Sequence, residues 1–105
     1  MLKAYSYKIK GIEYMVVEDN DRLARSAAAV QLLADYREGV GAGYVIYNAP
    51  HSEIEVYLAN GERTELSAEV YQAILSSTAN YEVHLTDYFV AKLNKLSLAE
   101  LGVAC

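Results

Sequence analysis

Hydrophobic and polar positions along this chain change period several times, and each change marks an element. Leu2 to Ile9 alternates, with Tyr5, Tyr7 and Ile9 on one side, as a half-buried strand does. Lys10-Gly11 then supplies a short turn, because glycine tolerates positive φ. Ile12 to Val17 returns as a second strand rich in β-branched and aromatic residues, so the two predict an antiparallel hairpin. From Asp21 to Arg37 the pattern becomes helical. Leu23, Ala27, Val30 and Leu33, flanked by Ala29, Leu32 and Tyr36, form one broad stripe, while Arg22, Arg25, Gln31 and Asp35 fall elsewhere. Asp19 or Asn20 is the expected N-cap of this helix, and Gly39, Gly41 and Gly43 are expected to end it.

Tyr44 to Tyr47 reads as a short apolar strand and the stretch 48–52 as a turn. Glu53 to Leu58 alternates strictly, with Ile54, Val56 and Leu58 on one face. Asn60-Gly61 predicts a tight hairpin turn of the primed type, completed by Glu62 to Leu66. Ser67 is a good N-cap for a second helix running to Ser77. Val70, Tyr71, Ile74 and Leu75 spread apolar surface around much of that helix, which predicts that it is enclosed. Further on, Tyr81 to Leu85 reads as a strand. Phe89 to Leu93 continues its period of two and is expected to be a strand as well, although Thr86-Asp87 would equally cap a helix carrying Phe89, Val90, Leu93 and Leu96. Ser97 to Leu101 reads as a short terminal helix. The pattern as a whole predicts an α+β fold: a mixed, mainly antiparallel, curved sheet around a central helix formed by Ser67–Ser77, with the Asp21–Arg37 helix outside it.

Composition narrows what such a fold can do. With 105 residues, residues 1–105 are expected to form a single domain. A domain of that size buries roughly 65% of the surface its unfolded chain exposes, enough for one core. At 53% hydrophobic residues the chain is not of disordered composition. No apolar run approaches the roughly 20 residues that span a bilayer, and the first residues lack the apolar centre of a signal peptide. The expectations are no membrane association and a cytoplasmic location.

The nine Lys and Arg are scattered in a chain of net charge −5, which argues against nucleic acid as a partner. Cys105 is the one cysteine, so no internal disulfide forms; His51 and His84 are the only histidines and stand far apart. Neither a metal site nor a cofactor is expected. Ten tyrosines against one Phe and no Trp suit half-buried sheet positions and, secondarily, a partner surface.

Three segments, in order, resemble the diaminopimelate epimerase family: Gly11 to Asp19, then Gly39-Val40-Gly41-Ala42-Gly43, then Ala59-Asn60-Gly61-Glu62 through Ser67. That family has two pseudo-symmetric lobes, each a mixed sheet wrapped around a central helix, and each lobe gives one cysteine to a substrate held between them. The resemblance implies that this chain corresponds to the first lobe, with Ser67–Ser77 as its central helix.

The same resemblance puts Ser67 where the catalytic cysteine stands, and Ala68 and Glu69 where Gly-Asn follows. The substrate-contacting Asn positions fall on Glu13 and Leu58. A two-base racemase needs a thiol of tunable acidity, and serine has none without an activating base. Glu69 in the first helical turn repels the carboxylate that a helix N-terminus would otherwise hold. Two readings follow. One is a non-catalytic single lobe that acts through association, as a two-fold homodimer or with a protein partner. The other is a subunit of an amino-acid isomerase or of a small-molecule-binding protein, its pocket completed by a second-lobe protein or a second copy, with Glu13, Ser67 and Glu69 favouring a cationic or neutral ligand.

Overall fold

The computed structural model describes residues 2–18, 26–37, 39, 41–48 and 54–100; side chains are described for these except residues 2 and 97–100. Among the described residues, six strands and three helices follow one another as β1 (Leu2–Ile9), β2 (Ile12–Glu18), α1 (Ala27–Ala34), β3 (Tyr44–Asn48), β4 (Glu55–Leu58), β5 (Arg63–Thr64), α2 (Ala68–Ser76), β6 (Tyr81–Leu85) and α3 (Asp87–Glu100). The strands make one sheet in the order β5-β4-β3-β2-β1-β6. β2 and β3 pair in parallel, and the connection between them carries α1; the other neighbours are antiparallel. This is the expected α+β class with a mixed, mostly antiparallel sheet.

The first hairpin forms because Lys10 and Gly11 both adopt positive φ, 52° and 82°, which matches the twist of the flanking strands and sets Ile9 opposite Ile12. The second hairpin differs from expectation. Asn60 does not adopt positive φ; Gly61 does, at 93°, its amide donates to Leu58 at 2.9 Å, and the Leu58 amide donates to Glu62 at 2.8 Å. The connection is therefore a three-residue loop with glycine in the left-handed position, not a two-residue primed turn. It lies against α1, where the Gln31 side-chain amide donates to the Asn60 carbonyl at 2.6 Å.

Alternation along the strands divides the sheet into two faces. One carries Ala4, Met15, Val17, Val45 and Tyr47, packed under α1 and α3. The other carries Tyr14, Ile46 and Val56, with Tyr7, Ile9, Val16 and Tyr44 half-buried beside them, under α2. On this second face Tyr14 stacks on Tyr44 at 4.9 Å, a cross-strand aromatic pair.

The three helices correct three expectations. α1 begins at Ala27, capped by Ser26, whose hydroxyl accepts from the Ala29 amide at 3.2 Å; it closes at Asp35, ahead of the glycines and of Arg37. Asp19, Asn20 and the stretch 21–25 lie outside the described residues. Ala29, Val30, Leu32, Leu33 and Ala34 of α1 are buried, whereas in α2 only Ile74 is, and Leu75 is 63% exposed. α2 is thus a peripheral helix on one sheet face, not a central one. The physical reason is the breadth of its stripe: Val70 and Ile74 meet the sheet, while Leu75, turned away by about 100° per residue, faces outward. The run Phe89–Leu93 is helical. The Thr86 hydroxyl accepts from the Phe89 amide at 3.2 Å and starts α3, which buries Leu93 and packs Phe89, Val90 and Leu96 on the core. α3 also absorbs the separate helix expected over Ser97–Leu101 as far as Glu100. No helix among the described residues is long and apolar enough to cross a membrane.

Candidate functional site

Ser67 and Glu69 sit together at the start of α2, and what each does there is visible. The Ser67 backbone is extended, φ −66° and ψ 153°, and its hydroxyl accepts from the Val70 amide at 3.2 Å. That is the geometry of an N-cap, satisfying one of the four amides a helix start leaves free. Ser67→Ala is expected to lower the unfolding free energy by about 1 kcal/mol in urea titration; an unchanged midpoint would mean the hydroxyl has another purpose.

Glu69 points across to the β1–β2 turn, where the Lys10 ammonium donates to its carboxylate at 2.8 Å. That hydrogen bond first, and the charge of Lys10 second, hold the Glu69 carboxyl below its ordinary range; the hydrogen bond to Glu69 and its charge in turn raise the Lys10 ammonium. Both side chains are about three-quarters exposed, 76% and 75%, so water screens the pair. The negative charge of Glu69 in the first turn of α2 also disfavours an anionic ligand at that helix start.

Glu13 does not join them. On β2 it alternates with Met15 and Val17, so it belongs to the α1/α3 face, opposite the one that carries α2. Its carbonyl accepts from the Gly43 amide at 3.0 Å and anchors the entry to β3. The three residues expected to line one surface are split across the sheet. Leu58, the other position implied by the resemblance, pairs with Tyr44 in the β3–β4 ladder.

The structure instead assembles a polar group at the β6 edge that the sequence did not single out. The β1–β6 register sets Lys3 opposite His84 and Tyr5 opposite Glu82. Glu82 Oε1 receives both the Lys3 ammonium at 3.5 Å and the His84 imidazole at 3.1 Å. Partial desolvation, and then the negative charges of Glu18 and Glu82, raise the Tyr5 phenol. Shared parity of Lys3 with Tyr5 and of Glu82 with His84 was legible; that β6 pairs with β1 was not. The Lys3, Glu82 and His84 side chains are 51%, 40% and 54% exposed, an open arrangement that holds no enclosed reacting centre.

Among the described residues, two grooves flank α2 and α3. An apolar one of about 140 Å³ runs between α2 and the sheet, lined by Val16, Ile46, Ile54, Leu66, Ile74 and Leu75 among others. The other, along α3, is lined by Tyr88, Ala91, Lys92, Lys95 and Leu96. Neither is lined by Glu13, Ser67 or Glu69. No cluster of three or more potential metal ligands occurs among the described residues. Comparison with models of known protein families and with curated proteins finds no match to this chain.

Proposed function

We propose that this protein is a non-catalytic domain that acts by associating, in the first place with a second copy of itself. The groups that would do chemistry are engaged or apart: Ser67 caps a helix, Glu69 pairs with Lys10, and Glu13 lies across the sheet. The observation that carries the association reading is the outer end of the sheet. Tyr81 on the last strand is 49% exposed, and Tyr88, on the helix that follows after the single residue Thr86, is 82% exposed. Large aromatic side chains with a polar tip are the residues enriched where proteins meet.

Kinship with the epimerases is a separate proposal, supported by the order of the three short segments. The exposure of α2 is the opposite of the enclosed helix that kinship implies.

The non-catalytic half of the reading is tested by solvent-deuterium incorporation at the α-carbon of a panel of amino acids. No protein-dependent exchange is expected, because an unassisted serine hydroxyl lies many units from the acidity that proton transfer at neutral pH needs. Exchange that vanishes in Ser67→Ala would make α2's start an active site. The association half is read from the mass of the chain in solution.

A further inference from the structure

β6 ends the sheet: it pairs with β1 on one side and with no described strand on the other. An edge of five residues with no described neighbour is a template for another strand unless it is blunted by proline, by charged side chains (lysine above all), by a bulge or by a cover. Tyr81-Glu82-Val83-His84-Leu85 contains neither proline nor lysine. The opposite edge, β5, is two residues long and offers little to pair with.

Resting on the association reading above, we propose that the partner is a second copy that adds to this edge, β6 against β6, antiparallel about a two-fold axis through Val83. Symmetry and the order of side chains along β6 fix the register. Opposed residues of an antiparallel pair share a sheet face, so the axis of a symmetric pairing that continues the sheet passes through a residue rather than between two. Centred on Glu82 or on His84, the pairing would set each of those groups against its own copy. Centred on Val83, it sets Glu82 of each copy against His84 of the other, and Tyr81 against Leu85. The strand reads apolar, acid, apolar, base, apolar, and reversal exchanges acid for base, so the sequence is its own complement in this register alone.

The two kinds of contact also fall on different faces. Tyr81, Val83 and Leu85 share the face of α1 and α3, because they oppose Ser6, Ala4 and Leu2; Glu82 and His84 oppose Tyr5 and Lys3 on the other. The join therefore has an apolar side and a polar side. Glu82 exchanges the imidazole of its own chain, at 3.1 Å in the single copy, for that of the second. The sheet continues as twelve strands, with both copies' α1/α3 layers on one face.

The test compares the dimer dissociation constant of the whole chain and its variants by sedimentation velocity, with circular dichroism confirming the fold. His84→Glu sets two carboxylates against each other and is expected to weaken the dimer at least about tenfold; the exchange Glu82→His with His84→Glu restores the unlike pairs and is expected to recover the wild-type constant within about threefold. Amide hydrogen exchange supplies a readout without substitution: β6 amides are expected to slow as wild-type concentration rises through the dissociation constant. A wild-type dimer unaffected by His84→Glu, with β6 amides indifferent to concentration, overturns the edge pairing. If Leu75→Glu then breaks that dimer, association runs over the α2 face and the functional reading survives. A wild-type chain that stays monomeric defeats the association reading itself, and this pairing with it.

Discussion

Leu93→Ala is expected to lower the unfolding free energy by about 2–5 kcal/mol, the range for truncating a buried leucine, while Leu75→Ala is expected to change it by about 0.5 kcal/mol or less. Leu93 is fully buried where α3 meets α1 over the sheet; Leu75 is 63% exposed on the outer side of α2. Removing three carbons from Leu93 leaves a void that α1 cannot close without shifting off the strands beneath it. Leu75 also lines the groove beside α2, but with 63% of it exposed, most of what its truncation removes is replaced by water. Chemical denaturation reads both. The contrast is informative because an enclosed α2 would reverse it, making Leu75 the costlier site. Equal losses would place α2 deeper than the structure has it.

Gly61→Ala is the second large loss expected, about 2–4 kcal/mol, from left-handed backbone strain together with overpacking. Gly61 holds φ 93°, and a Cβ there would stand 2.7 Å from the Ala27 Cα and 2.8 Å from its carbonyl oxygen, both backbone atoms at the start of α1. Neither can move without lifting the first turn of the helix, and the Gln31 contact to Asn60 would be strained with it. Gly11→Ala is the control. Its φ of 82° is similar, but nothing lies within 4 Å of the added carbon, so only the conformational cost remains, about 1–2 kcal/mol. Midpoints that shift equally would show that the β4–β5 loop does not press on α1.

These contrasts show what the sequence made legible and what it left hidden. Elements set by local chemistry were readable: the Lys10-Gly11 turn, the strict alternation through Val56, the Ser67 cap and the short strand Tyr81–Leu85 each follow from neighbouring residues alone. The α+β class came with them. The tail was ambiguous for a specific reason. Phe89, Ala91 and Leu93 satisfy a period of two, while Phe89, Val90, Leu93 and Leu96 satisfy a helix, and the balance is tipped by the Thr86 hydroxyl on the Phe89 amide together with the core beneath α1.

The depth of a helix was hidden for a different reason. Val70, Tyr71, Ile74 and Leu75 look more enveloping than the alanine-rich start of α1, yet small side chains let α1 approach closely and bury five of its eight residues. At the candidate site, Ser67 was correctly legible as a cap. The separation of Glu13 from it depends on which sheet face each element covers, which no local pattern states. The Glu82–His84 edge was hidden likewise, because an edge exists only once the strand order is known.

The proposal that this chain works by pairing with itself is decided by the mass of the wild-type protein in solution. Sedimentation velocity over a dilution series is expected to show a species of twice the 11.6 kDa chain mass at tens of micromolar, dissociating on dilution. Its interface is expected to exceed about 1,000 Å² in total, the area that a specific contact requires. A single species of one chain mass across the whole series would contradict it.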